Sequence, residues 1–349
     1  MPTLIILIFI GAAAAVLGAL AQPMARRRED RRLPAPGELY ATGAGQRLHA
    51  IVAGARGPSV VLDAALGATS LSWARVQPEL ARFARVLSYD RAGFGYSSPA
   101  RSPRTLDAMA AELKALLERS ELPAPYILVG HSYGGLVARR YAQQNPERVA
   151  GLVLVDAAAP EQWARPSRVD RRRLRIGARL ARRGAWAARI GLSRAVAWMV
   201  EHGVRPLARA SAGAVSGGVL HGRATPQHSH GDLLLAPALR LPPELRPYLR
   251  RNWVRPAYYS ALAGMMQHLP EGAAAMLEDA GYGERPLALL TAADADPERA
   301  AEQQACARLS RRCRQWRARA SGHWIPIDEP ELVVEAVRWV VEESQGGEA

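Results

Sequence analysis

The chain has 349 residues, 49% of them apolar, so it can bury a sizeable core and is too apolar to be disordered as a whole. Its net charge of +14 is carried by arginine, with Lys114 the single lysine, and together with the abundant alanine this reads as a coding bias. No recognised nucleic-acid module accompanies the charge, which argues against nucleic acid as a partner; an anionic membrane surface is the class the charge suits.

At the N-terminus, Leu4 to Ala21 is an uncharged apolar run of 18 residues, just long enough to span a bilayer. Ala19-Leu20-Ala21 offers a small-x-small cleavage pattern near Ala21, but no Lys or Arg precedes the run. Arg26, Arg27, Arg28, Arg31 and Arg32 follow it. The reading is a single-pass N-terminal membrane anchor over residues 1–22, with the main domain in the cytoplasm and membrane lipid as a partner. Export after signal cleavage is the alternative. Residues 23–37 read as an Arg/Pro-rich linker.

From residue 38 the pattern changes. "GELYATGAGQRLHAIVAG" alternates about a Gly-Ala-Gly turn and predicts a β-hairpin. Ser59 to Asp63 predicts a buried strand, and Leu71 to Phe83 a helix. A short strand ends at Asp90, before a Gly-rich turn. Leu106 to Arg119 carries apolar residues at helical spacing. Tyr126 to Val129 predicts a strand, Leu136 to Gln144 a helix, and "RVAGLVLVDAAAP" another buried strand. Over residues 161–285 the alternation stops, and an Arg-rich, mostly helical segment follows. "PLALLT" then predicts a strand, Glu298 to Leu309 a helix, "RQWRARASGHW" a last strand and "EPELVVEAVRWVVEE" a closing helix. Short apolar strands alternating with helices imply an α/β fold, a mostly parallel sheet covered on both faces. Residues 38–160 and 286–343 form its core, and residues 161–285 form an inserted helical lid.

The sequence Gly130-His131-Ser132-Tyr133-Gly134 follows a predicted strand and precedes a predicted helix. That context fits a G-x-S-x-G nucleophile elbow, in which the serine occupies a strained strand-to-helix turn. To attack a carbonyl, such a hydroxyl needs a base, an acid that orients the base, and amide donors for the oxyanion. His323, between the last strand and the last helix, is the candidate base. Asp294 and Asp296 both follow the penultimate strand, and Asp156 follows "GLVLV". The Asp-Pro pair favours Asp296 as the acid, with Asp294 and Asp156 as alternatives. Asp328 reads as a residue of a helix N-terminus. The oxyanion donors are placed at the backbone N–H groups of Leu66 and Tyr133.

"VVLDAALGATSLSW", "RVLSYDRAGFGYSSP", "YILVGHSYGG", "RVAGLVLVDAA" and "SGHWIPIDEPELV" resemble, in this order, the α/β-hydrolase-fold serine hydrolases. That broad group includes esterases, cofactor-free haloperoxidases and proline iminopeptidase-like enzymes. The resemblance implies a Ser-His-Asp triad acting through an acyl-enzyme on a small-molecule acyl substrate, most simply a carboxylic ester, with no metal or organic cofactor. Ser132 disfavours the relatives that use an Asp nucleophile. Ala64-Ala65 departs from the His-Gly pair that usually precedes the oxyanion residue. An aminopeptidase or amidase, an acyltransferase, or a catalytically idle binding module are the alternatives on the same fold. The lid sequence from Arg168 places Leu174, Ile176, Leu180, Trp186 and Ile190 among many arginines, which suits either packing on the core or an anionic bilayer. Cys306 and Cys313 on one continuous helix would lie about 10 Å apart, too far to bridge unless the helix ends between them. His221, His228 and His230 have no acidic partners nearby and make a weak metal cluster.

Overall fold

The computed structural model describes residues 2–43, 45–201, 240–277 and 281–346. A long helix α1 (Pro2–Arg32) opens the chain. The core follows as β1 (Glu38–Gly43), β2 (Gln46–Ala53), β3 (Ser59–Asp63), α2 (Gln77–Leu80), β4 (Arg85–Tyr89), α3 (Leu106–Arg119), β5 (Tyr126–His131), α4 (Tyr133–Gln144) and β6 (Val149–Val155). The lid helices are α5 (Pro160–Ala164), α6 (Arg168–Arg189), α7 (Leu192–Glu201), α8 (Arg246–Trp253) and α9 (Pro256–Ala274). The core resumes with β7 (Leu287–Thr291), α10 (Pro297–Ala307), β8 (Cys313–Arg317), the short α11 (Ile325–Asp328) and α12 (Pro330–Gln345).

The eight strands form one sheet in the order β1-β2-β4-β3-β5-β6-β7-β8. The β1–β2 hairpin and the β2–β4 pair are antiparallel, and every other pair is parallel. Side chains of the central strands alternate between two buried layers, as the period of two requires. Leu128, Leu152 and Leu154 join the layer containing Leu113, Leu117 and Tyr141 of α3 and α4. Ile127, Val129, Val153 and Val155 join the opposite layer with Val333, Val337 and Val340 of α12. Both faces of β5 and β6 are therefore dry, which is why these strands read as unbroken apolar runs.

Three expectations change. The helix expected over Leu71 to Phe83 is a single 3-10 turn (Ser70–Trp73) followed by the four-residue α2. Pro78 has no amide for a continuous ladder, so it starts α2 near its N-terminus instead. The linker expected over residues 23–37 is helical as far as Arg32, with Pro23 inside α1. The apolar run of the expected anchor falls largely on residues whose side chains lie outside the described set. Among the described residues no helix is long and apolar enough to cross a membrane.

α10 ends at Ala307, between the two cysteines, so the spacing no longer forbids a bridge, yet both thiols are free. Asp328 pairs with Arg240, while Glu329 is the residue at the head of α12 and accepts from the backbone amides of Arg319, Ala320 and Ser321.

Leu154 is fully buried between the layers. Its truncation to Ala should cost about 2–5 kcal/mol of stability, read as a lower midpoint with unchanged slope in urea unfolding.

Candidate active site

β5 delivers its last residue, His131, directly to Ser132, and α4 begins at Tyr133. Ser132 is therefore forced into φ 54° and ψ −117°, a backbone conformation that side-chain-bearing residues rarely adopt. The neighbouring backbone holds it there: the Ser132 amide donates to the carbonyl of Val155 (3.0 Å), and the Ala158 amide donates to the carbonyl of Ser132 (3.1 Å). The turn closes only without side chains on its flanks. A Cβ on Gly130 would lie 2.5 Å from the Gly135 Cα, and one on Gly134 would strike the Asp63 and Ala64 carbonyls.

Those bonds bring the end of β6 beside the serine, and Asp156 is the next residue along. Its Oδ2 lies 2.6 Å from Nδ1 of His323. Asp156 also departs from ordinary geometry, with φ 39°. Arg299 holds it from two sides, with Nε 3.4 Å from Oδ1 and a guanidinium N–H donating to its carbonyl at 2.7 Å. Burial alone would raise the Asp156 carboxyl. The Arg299 charge and the His323 hydrogen bond outweigh it and hold the group well below the usual carboxylate range. An ionised acceptor makes Nδ1 the protonated nitrogen of His323. Nε2 is then left as a lone-pair acceptor, buried and without a protein partner.

Asp296, expected as the acid, does not reach this point. It caps α10, accepting the Arg299 amide at 2.9 Å. The first turn of α10 points Arg299 at Asp156, so Asp296 acts one step removed. Asp294 is exposed and lies over Gly322 rather than against the imidazole.

His131, inside the elbow, packs beneath His323. Its Nε2 donates to the His323 carbonyl (2.7 Å), and its ring lies tilted 4.8 Å from that of His323 and edge-on 5.1 Å from that of Trp324. Burial and the neighbouring His323 push its pKa down to about 3, so it stays neutral and keeps this contact across the working pH range.

Leu66 lies in the loop after β3, in one buried cluster with Tyr133 and Leu136. The loop is set by Arg91, whose guanidinium pairs with Asp63 (2.7 Å) and donates to the carbonyls of Ala64 and Ala65. A trans peptide points its N–H opposite to its C=O, so the grip on the Ala65 carbonyl aims the Leu66 N–H away from Arg91. At Tyr133 the amide belongs to the first turn of α4, where no intrahelical acceptor exists. Above this loop, a cavity of about 20 Å³, room for about one water, is lined by Leu66, Trp324 and the lid residues Asn252 and Trp253.

Sequence reasoning missed Arg91, Arg299 and the buried His49–Asp90 pair. Asp90 Oδ2 meets His49 Nδ1 at 2.8 Å, and its Oδ1 accepts the Ser70 amide, tying the hairpin to the turn after β3. "SYDRAGFG" contains Asp90 and Arg91 side by side, but nothing local shows that one side chain serves the hairpin and the other the Leu66 loop. Among the described residues no group of His, Cys, Asp and Glu could hold a metal ion. His221, His228 and His230 lie outside the described residues.

A family model described as alpha/beta hydrolase fold matches residues 58–180. The solved structure of a thermophilic esterase from Thermogutta terrifontis superposes with a TM-score of 0.59 at 23% identity, covering 88% of this chain and 98% of that one. An alpha/beta hydrolase fold protein from Burkholderia ambifaria gives 0.61 at 23% identity, covering 87% and 97%. This chain has the α/β-hydrolase fold. Among curated relatives, a 2-hydroxymuconate semialdehyde hydrolase of Pseudomonas sp. is 40% identical over 88 residues, 25% of this chain and 31% of that protein. The curated relatives that the chain matches are spanned over less than half their length in the leading cases, 42% and 41% among them. The carboxylate that meets His323, Asp156, follows β6 rather than β7.

Asp156→Asn should slow covalent labelling of Ser132 by a fluorophosphonate roughly 10³-fold or more, because it favours the wrong imidazole tautomer. Asp296→Ala should leave that rate nearly unchanged and cost about 1 kcal/mol of stability through the lost helix cap.

The depressed Asp156 carboxyl also sets a direction for pH. Its folded pKa lies below the unfolded value of about 3.9, so the stability it contributes is present above about pH 4 and is lost as pH falls toward the folded value. Thermal melts at about pH 6 and about pH 3 should show a smaller drop for Asp156→Asn than for the wild type.

Proposed function

We propose that the protein is a serine hydrolase that cleaves a carboxylic ester through a covalent acyl-enzyme. The observation that carries this reading is the Asp156–His323 hydrogen bond, which leaves His323 Nε2 as an unpartnered acceptor, in a chain that also holds Ser132 in a strained strand-to-helix turn. The Ser132 Oγ attacks the acyl carbon as its proton passes to His323 Nε2. Negative charge collects on the former carbonyl oxygen, where the amides of Leu66 and Tyr133 donate to it. His323 then protonates the leaving alkoxide, which departs as the alcohol. Water repeats the attack on the acyl-serine, gives its proton to His323 and releases the acid, and the proton returns to Ser132.

Asp156 remains ionised throughout and stabilises the imidazolium formed in each half-reaction. Arg299 positions Asp156, and His131 supports the base from below. Ala65 in place of glycine is accommodated because its side chain is buried next to the lid, in a cluster with Leu241, Leu249 and Trp324. An esterase among the structural neighbours favours ester cleavage. The lid's basic character disfavours capture of a free α-amino group, which needs acidic side chains, and so argues against the aminopeptidase alternative.

Purified protein should be labelled by a fluorophosphonate probe, and Ser132→Ala should abolish the labelling with the fold retained by circular dichroism. A panel of p-nitrophenyl esters and aminoacyl amides then reads the bond class. Turnover of esters with none of amides is expected. Amide turnover alone would replace the ester reading with a peptidase, and an unlabelled folded wild type would leave a binding module.

A further inference from the structure

The described part of helix α1 packs on the lid and still turns large apolar side chains to solvent. Its half-buried and buried positions Gly18, Gln22, Arg26 and Glu29 recur at helical spacing and face the lid. A Cβ on Gly18 would collide with the Ile190 carbonyl, and one on Gly191 would lie 2.6 Å from the Gln22 amide nitrogen, so the two helices touch backbone to backbone there. Glu29 and Asp30 then pair with Arg194, Arg251 and Arg255 of the lid at 2.6–3.3 Å. The stripe turned to solvent is apolar instead: Val16, Leu17, Leu20 and Met24 are 59–71% exposed. Gln22 and Glu29 are thus buried against the lid while these large apolar side chains face solvent.

The apolar surface continues onto the lid. Trp186 and Trp198 are 67% and 57% exposed, and Ile190 and Leu192 flank the point where α1 crosses. Of the 13 exposed large hydrophobics among the described residues, 10 lie on α1, α6, α7 and their joints, and only three elsewhere. Exposed arginines surround them: Arg175, Arg179, Arg182 and Arg183 on α6, and Arg27, Arg28, Arg31 and Arg32 on α1.

Beneath this surface lies a cleft of about 640 Å³, bounded by α1, the end of α6, α9 and the loop after β4. Arg26, Arg104, Arg189, Arg251 and Arg255 line it. Arg104, Arg251 and Arg255 have carboxylate partners. Arg26 and Arg189 have none among the described residues, and the Nε atoms of Arg26, Arg104 and Arg255 are buried without an acceptor. Burial and the charges of Arg255 and Arg194 lower the pKa of Arg26, against the opposing pull of Asp30 and Glu29.

We propose that α1 and the lid together form a docking surface for an anionic phospholipid bilayer, with the cleft beside Arg26 and Arg189 receiving a lipid phosphate. The exposed tryptophans and the α1 stripe lie in the interfacial region, where amphipathic aromatic rings and apolar side chains gain most. The surrounding arginines are drawn to the negative surface potential, and the guanidinium forks in the cleft match phosphate geometry. The headgroup supplies the acceptors that the buried Nε atoms lack. This docking stands independently of the chemistry at Ser132.

The test uses the full chain with sedimenting vesicles of phosphatidylcholine alone or mixed with phosphatidylglycerol. Binding to the anionic vesicles should be roughly tenfold tighter or more, should fall with added salt, and should blue-shift tryptophan emission. Arg26→Gln with Arg189→Gln should lose most of the anionic preference, whereas Arg26→Lys with Arg189→Lys should keep the greater part of it. Trp186→Ala with Trp198→Ala should weaken binding to both vesicle types. Cooperative melting of each variant shows that it is folded. Equal affinity for the two vesicles, or an undiminished preference in the glutamine variant, would overturn the proposal. Inorganic phosphate that raises the melting temperature in an Arg26-dependent way, with no vesicle binding, would assign the cleft to a soluble phosphate and overturn it equally.

Discussion

Ser132 is held at φ 54° by hydrogen bonds on both sides, from its own amide to Val155 and from the Ala158 amide to its carbonyl. A residue in that region stores roughly 1–3 kcal/mol of strain, and it persists only where the surroundings over-determine it. Here the surroundings are β5 and β6, strands buried on both faces. Because the same bonds bracket Asp156, the turn that holds Ser132 also fixes where Asp156 emerges. His323 needs only to arrive from the far end of the chain, and the loop between β8 and α11 brings it, resting on His131.

Charge is buried around this centre in a consistent manner. Asp63 and Arg91 are both almost fully buried, a pairing that is costly unless every remaining donor and acceptor is used. Arg91 meets that condition by donating to the carbonyls of Ala64 and Ala65 while Tyr89 donates to Asp63. Arg299 does the same at Asp156, and Arg251 donates to the Gly95 carbonyl while pairing with Asp30. Five donors in a rigid fork let one arginine pair with a carboxylate and tie down a loop carbonyl at once. Part of the excess arginine, read from composition as coding bias, is thus structural cement for loops that carry the site.

The lid divides its helix faces between two environments. Leu174, Ala178 and Ala181 of α6 pack with Tyr258, Leu262 and Met265 of α9 in the cluster that also contains Tyr133 and Leu66. Ile176 and Trp186 of the same helix point outward. The lid therefore packs on the core with one side of α6 and exposes apolar side chains on the other. Its clamp to α1 runs through acidic residues that the α1 sequence places among arginines, so their partners belong to the lid rather than to α1 itself.

The amino-acid order by itself determined the elements and the serine. Apolar runs of period two and stripes of period three to four are local, so β5, α3 and α12 are legible, and the glycines around Ser132 state a backbone requirement that only its neighbours in sequence can impose. The position of His323 before α12 is legible for the same reason, since it follows from strand and helix order. The choice of acid was not. Asp156, Asp294 and Asp296 all follow strands in the adjacent positions β6 and β7, and each is compatible with the order of elements. What separates them is a few ångströms of side-chain reach: Asp296 spends its carboxylate on the amide of Arg299, and Asp156 emerges beside the serine under the imidazole. That distinction, the grip of Arg91 on the Leu66 loop and the ion-pair clamp between α1 and the lid all join residues dozens to hundreds of positions apart. Only the tertiary structure decides them, because a hydrogen bond depends on distance in space and not on separation along the chain.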